Sequence, residues 1–215
     1  MNTAIVDFGL GNLYSVERAC AHAGMNAKVT SNPAHILDHD LVILPGVGAF
    51  GDAMAQLGER GLIEPLQQRA QDNGLLMGIC LGMQLLMDHS AEFGSHQGLG
   101  IIPGQVLPLV PLNGTKVPQV GWNTIHVQRD ADLAWMLPDQ AYMYFVHSYY
   151  VAPKDPATVL ATSRYGGMEF CCALAHGNVI GMQFHPERSG DLGLAIYATL
   201  KNLHNISGDT ARKVS

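Results

Sequence analysis

The chain has 215 residues, enough to bury a full core in one domain, and carries 12 basic against 18 acidic residues for a formal net charge of −6. Only 14% of residues are charged, against about 25% in an average soluble chain, while 47% are hydrophobic and 24 are glycine. This composition excludes extended disorder, and the shortage of basic residues argues against a broad phosphate-binding or membrane-surface patch, so nucleic acid is not an expected partner.

Met1-Asn2-Thr3-Ala4-Ile5-Val6-Asp7 lacks the basic start and long apolar stretch of a signal peptide, and no window approaches a membrane span. A cytoplasmic location is expected. Cys20, Cys80, Cys171 and Cys172 show no C-x-x-C spacing, and an adjacent pair is a poor disulfide candidate, so reduced thiols are expected.

In chain order, Ala4 to Val6 reads as a short strand, Leu13 to Ala23 as a helix stopped by Gly24, and Ala27 to Thr30 as a strand. Leu41 to Leu44 is a continuous apolar strand ended by Pro45-Gly46-Val47-Gly48. After a helical stretch from about Leu62 comes another such strand, Leu75 to Ile79. Continuous rather than alternating apolarity means that both sheet faces are covered, as in a parallel sheet flanked by helices. From about Gln105 the texture changes to short segments: Thr124 to Val127, Tyr142 to Val146, Val159 to Ser163, Cys171 to Ala175 and Val179 to Phe184. These read as antiparallel or mixed strands, with a hairpin turn at Ala175 to Val179. A last helix is expected over about Asp191 to Asn205, then a frayed tail over 206–215, giving a single domain over residues 1–205. The fold class is α/β: an open mixed, largely parallel sheet with helices on both faces.

Asp7-Phe8-Gly9-Leu10-Gly11-Asn12-Leu13-Tyr14 follows a strand and opens a helix, but Tyr14 stands where a dinucleotide fingerprint needs its third glycine. No G-K-[ST] sequence exists either, so no nucleotide cofactor is expected. Cys80 is the sharpest signal. It ends an apolar strand and opens an apolar helix, with Gly78 and Gly82 two residues away on each side, the thiol form of a nucleophile elbow. Such a turn pushes the side chain out over the sheet. The following helix start favours a thiolate, and the Leu81 N–H points where an oxyanion forms. The other three cysteines default to packing.

Among ten histidines, His185 has the right company in Gly181-Met182-Gln183-Phe184-His185-Pro186-Glu187. Pro186 favours an extended His185, and alternation along an extended chain places His185 and Glu187 on one side, where the carboxylate orients the ring as base for Cys80. A surface strand end and a metal site are the alternatives for His-Pro-Glu alone. No other His, Cys, Asp or Glu stands at ligand spacing, so no metal is expected.

With Gly-Ile-Cys-Leu-Gly-Met-Gln at 78–84 and His-Pro-Glu at 185–187, the chain resembles the triad-type (class I) glutamine amidotransferases, which have a flavodoxin-like fold. The segments Pro45 to Phe50, Pro118 to Asn123, Tyr144 to Tyr149 and Asp7 to Tyr14 look like those of the glutaminase subunits of imidazole glycerol phosphate synthases. Arg188 stands where that family often has lysine. The resemblance implies hydrolysis of L-glutamine by Cys80, His185 and Glu187, an oxyanion hole from the Val47 and Leu81 N–H groups, and glutamine held by Gly48, Gln84, Glu92, Ser148 and Tyr149. It also implies a heterodimer with a cyclase subunit of barrel fold in histidine biosynthesis, Trp122, Asn123 and Tyr144 lying at the interface. The same family pattern, with cheap rotation between flanking glycines, leads to the expectation that the Val47 peptide turns toward the site only when the partner is engaged. A glutaminase serving another synthase, for pyridoxal phosphate or a surface-sugar amidine, and a non-catalytic module of the same fold remain alternatives.

Overall fold

The structure, a computed structural model, describes residues 1–112 and 114–212, with side chains through Asn202. In chain order it runs β1 (Asn2–Val6), α1 (Leu13–His22), β2 (Asn26–Thr30), α2 (Pro33–Asp38), β3 (Leu41–Leu44), α3 (Phe50–Glu59), α4 (Ile63–Gln71), β4 (Leu75–Ile79) and α5 (Leu81–Leu85). Then follow β5 (Met87–Ser90), β6 (His96–Gln97), β7 (Ile102–Pro108), β8 (Gln119–Val127), β9 (Tyr142–His147) and β10 (Tyr149–Pro153). The chain closes with β11 (Val159–Tyr165), β12 (Met168–His176), β13 (Val179–Met182) and α6 (Gly190–Arg212). The fraying expected from Ile206 falls on residues whose side chains lie outside the described residues, and Asn113 and 213–215 lie outside them altogether.

The strands form one mixed sheet in the order β2-β1-β3-β4-β13-β12-β10-β7-β5-β6, with β11, β8 and β9 branching from β12. From β2 to β13 every neighbouring pair is parallel, and from β13 to β7 every pair is antiparallel. The continuous apolar strands divide by alternation between two cores. Leu41 and Ile43 of β3 enter the one that also holds Ile5, Met77, Ile180 and Tyr197, while Val42 and Leu44 enter the one with Phe50, Leu57, Leu66 and Leu76. Helices supply the covering faces. Helix α1 buries Val16, Ala19 and Cys20, and α3 buries Phe50, Ala53 and Leu57 at helical spacing. Among the described residues no helix is long and apolar enough to cross a membrane.

Several elements differ from the sequence expectation, which does not include helices α2 and α3. α2 is a short helix set by Pro33 at its first position and by the Asn32 side chain accepting from Ala34 N–H, while Gly51 and Gly58 mask the helical pattern of α3. Strand β8 begins at Gln119 rather than Thr124, so the Gly-Trp-Asn segment is itself strand, paired with β9 as Gln119 to His147 and Trp122 to Tyr144. Alternation fails to reveal it because Val120 and Trp122 are exposed apolar residues.

Candidate active site

Strands β4 and β13 lie side by side and parallel, with Gly78 opposite Gly181 and Ile79 opposite Met182, so their carboxyl ends deliver Cys80 and His185 to the same edge. This is where ligands sit on open α/β sheets. Cys80 turns the chain with φ 55° and ψ −112°, a conformation L-residues rarely adopt, and its N–H donates to the Met182 carbonyl at 2.7 Å. The flanking glycines are a packing necessity. A Cβ on Gly78 would lie 2.7 Å from the Gly82 carbonyl oxygen, and one on Gly82 would lie 1.7 Å from that of Leu44. Strand, elbow and the neighbouring β3 terminus therefore touch backbone to backbone.

The helix after the elbow, α5, spans only Leu81–Leu85, shorter than the apolar run suggested. A helix of so few peptides contributes little dipole to a thiolate, so the sulfur depends on nearby side chains. Cys80 is 6% exposed. Its Sγ lies 3.7 Å from the Val146 carbonyl oxygen and 3.7 Å from Gln183 Nε2.

His185 Nδ1 is 2.8 Å from Glu187 Oε1, with the two side chains 5% and 1% exposed. Their juxtaposition arises differently from the expected alternation along an extended chain. His185 is extended, but Pro186–Arg188 form a single 3₁₀ turn, with Arg188 N–H donating to the His185 carbonyl at 3.0 Å, and the turn swings Glu187 back under the ring. The His185 N–H donates to the Tyr144 carbonyl at 2.9 Å, and its own carbonyl accepts from Ser189 Oγ at 2.6 Å. Nε2 is buried, without a hydrogen-bond partner among the described residues, which leaves it available for proton transfer. Burial alone would disfavour the imidazolium, but the Cys80 sulfur and the Glu187 carboxylate outweigh it and push His185 up to about 10.

A cleft of about 300 Å³ opens over Cys80, at the small end of the range for ligand pockets. Val47, Gly48, Leu81, Gln84, Glu92, Ser148 and Tyr149 all line it, so the structure brings together every residue expected at the oxyanion and substrate positions. Val47 is 41% exposed, and Gly48 takes φ +105°. Glu92 is nearly buried, and its Oε2 accepts from Phe50 N–H at 2.6 Å, tying the carboxylate to the start of α3 just beyond the Val47–Gly48 loop.

Trp122 is more than half exposed, its ring 6.0 Å from that of Tyr144. The Arg188 guanidinium lies 4.4 Å over the Tyr144 ring, so arginine fills the position often held by lysine with a cation–π contact. Asn123 is partly exposed and donates to the Arg164 carbonyl of β11 at 2.6 Å. Among the described residues no three His, Cys, Asp or Glu side chains are placed to hold a metal ion.

Two residues at the site escape a reading of the sequence. His147 lines the cleft with Nδ1 2.8 Å from the Tyr149 carbonyl and Nε2 3.2 Å from the Gln119 amide, and burial pushes it down to about 4, a neutral ring. Gln183 is fully buried against the sulfur. A polar side chain between Met182 and Phe184 is the one signal that marks it in the sequence.

The family model "Glutamine amidotransferase class-I" matches residues 4–197. Imidazole glycerol phosphate synthase subunit HisH of Chlorobaculum tepidum is 42% identical, covering 92% of this chain and 96% of its own, and that of Syntrophotalea carbinolica is 46% identical, covering 92% and 97%. Among solved structures, PurLQS from Thermotoga maritima aligns with a TM-score of 0.75 at 20% identity over 94% of this chain and 98% of its own. A crystal structure of a glutamine amidotransferase aligns at 0.70 and 20% identity over 91% and 96%; these two show the shared fold. The chain belongs to the class I glutamine amidotransferases and, within them, to the family of imidazole glycerol phosphate synthase subunit HisH.

Proposed function

We propose that this protein is the glutaminase subunit of an imidazole glycerol phosphate synthase, hydrolysing L-glutamine and passing ammonia to a cyclase subunit of barrel fold in histidine biosynthesis. The observation that carries this reading is the His185–Glu187 pair beside a cysteine held at a strained elbow, under a cleft of amino-acid size. Buried, reduced cysteines fit a cytoplasmic setting.

Cys80 Sγ, as thiolate, attacks the side-chain carbonyl carbon of glutamine. The negative charge moves to the oxygen, where the N–H groups of Val47 and Leu81 receive it; one such donor is worth about 2.7–4 kcal/mol in the transition state. Protonated His185 gives its Nε2 proton to the departing nitrogen, and ammonia leaves a glutamyl thioester. Water then attacks that thioester, His185 taking its proton, to release glutamate and restore the thiolate–imidazolium pair. Glu187 holds the ring in the tautomer that leaves Nε2 toward the reacting atoms. Gly48, Gln84, Glu92, Ser148 and Tyr149 fix the glutamine, and Trp122, Asn123 and Tyr144 lie at the interface with the partner.

Glutamine turnover measured alone and with the purified cyclase tests the assignment. Stimulation by the cyclase is expected, through reorientation of the Val47 peptide. Equal rates would overturn the coupling, and stimulation by a pyridoxal phosphate or surface-sugar amidine synthase instead would reassign the partner.

A further inference from the structure

The triad makes no use of Gln183, although the side chain is fully buried and in contact with the nucleophile. Its backbone is fixed by donation from N–H to the Cys172 carbonyl at 2.9 Å. Its carboxamide bridges two groups: Oε1 accepts from Gln84 Nε2 at 3.0 Å, and Nε2 points at Cys80 Sγ from 3.7 Å. The orientation of both amides follows from one anchor. Gln84 Nε2 also lies 3.0 Å from the Tyr149 carbonyl oxygen, which only accepts, so Gln84 must present its NH₂ group there. Gln183 meets that NH₂ with its oxygen, and its own NH₂ is thereby turned to the sulfur.

The sulfur thus stands between opposite influences. The Val146 carbonyl at 3.7 Å accepts and suits the thiol S–H, whereas the Gln183 amide donates and suits the thiolate. An apolar side chain would fill the same volume without the cost of burying a carboxamide, so the polarity of Gln183 needs a reason.

We propose that Gln183 is a positioning residue for the nucleophile: its amide, oriented by Gln84 and the Tyr149 carbonyl, donates to Cys80 Sγ, favouring the thiolate and holding it in line with the cleft. Gln84 and Tyr149 also line that cleft, so a ligand that draws on either of them alters the donor at the sulfur. The proposal rests on Cys80 being the nucleophile.

The test is the pH profile of iodoacetamide alkylation at Cys80 in the assembled complex, for the wild type, Gln183→Met and Gln183→Glu. Burial pushes the Cys20 and Cys171 thiols up to about 12 and Cys172 well above its ordinary value, so they do not compete at moderate pH. The midpoint is expected to rise by about one pH unit in Gln183→Met and further in Gln183→Glu, which sets an acceptor against the sulfur. Glutamine kcat should fall about tenfold with KM changed less than about threefold, and ammonia-dependent synthesis should persist. Unshifted midpoints in both variants would overturn the proposal, whatever happens to kcat.

If neither variant assembles, the wild type still decides. The Gln183 side-chain amide protons, followed by NMR in glutamine-labelled protein, should titrate with Cys80 and cease to titrate in Cys80→Ala; an amide that does not titrate contradicts the proposal. Retention of glutamine-dependent synthesis by Cys80→Ala would instead overturn the reading of the nucleophile, independently of the Gln183 profiles.

Discussion

Two buried histidines belong to this site, His147 lining the cleft and His185 beside Cys80, and their surroundings push them in opposite directions. His185 follows β13 in the parallel half, with a carboxylate at 2.8 Å and a thiol beside it, and is raised to about 10. His147 ends β9 in the antiparallel half, between a carbonyl and an amide, and is lowered to about 4. Similar burial of the two rings therefore gives a charged acid beside Cys80 and a neutral strut in the cleft wall. The partner of each ring decides the outcome. The same contrast runs through the backbone: the parallel half is packed too closely for a Cβ at its turn, whereas the antiparallel half leaves exposed aromatics at its edge.

The largest effect is expected where packing is tightest. Gly82→Ala, forcing a Cβ to within 1.7 Å of the Leu44 carbonyl oxygen, should cost more than about 4 kcal/mol or abolish folding. By contrast, Gly121→Ala in β8, at φ +135° with open space around it, should cost about 1–3 kcal/mol of backbone strain. Thermal melting of the two variants measures the difference, and equal losses would remove the distinction between the halves.

Glu187→Gln should lower glutamine kcat by about 10²- to 10⁴-fold, since the ring loses the partner that orients and charges it. The pH dependence of stability follows from the sign of the shift. A histidine raised in the folded state contributes stability that is fully present below its ordinary value of 6.5 and is lost as pH rises toward about 10. The melting temperature of the wild type should therefore exceed that of Glu187→Gln most at pH 6 and least at pH 10.

His147 works on the other side of neutrality. The unfolded chain binds its proton near 6.5 while the folded chain refuses it until about 4, so stability drains as pH falls between those values, by at most about 1.4 kcal/mol per unit. His147→Gln should flatten that acid slope between pH 6.5 and 5, and an unchanged slope would show that the neutral ring is not its source. The smallest effect belongs to the exposed face of β8. Trp122→Ala should leave melting nearly unchanged and weaken the affinity for the cyclase about tenfold or more, read by titration of the two purified proteins.

Much of the parallel half is legible in the sequence because its strands are continuous apolar runs and its elbow is marked by two glycines that packing demands. Cys80, His185 and Glu187 can be named for the same reason: each sits in a short pattern whose chemistry is local. What stays hidden depends on distant partners. Gln183 meets Gln84 across 99 positions and Cys80 across 103, and His147 meets Gln119 across 28, so no local spacing announces them. The sequence pattern shortens strand β8 because Val120 and Trp122, apolar residues on its exposed face, break the inward–outward alternation that identifies strands.

The measurement that bears most directly on the account is Cys80→Ala in the complex with the cyclase, assayed with glutamine and separately with ammonia. Glutamine-dependent synthesis should fall by more than about 10³-fold, with ammonia-dependent synthesis retained. Loss of both would mark Cys80 as structural, and retention of both would place the chemistry elsewhere; either result contradicts the account.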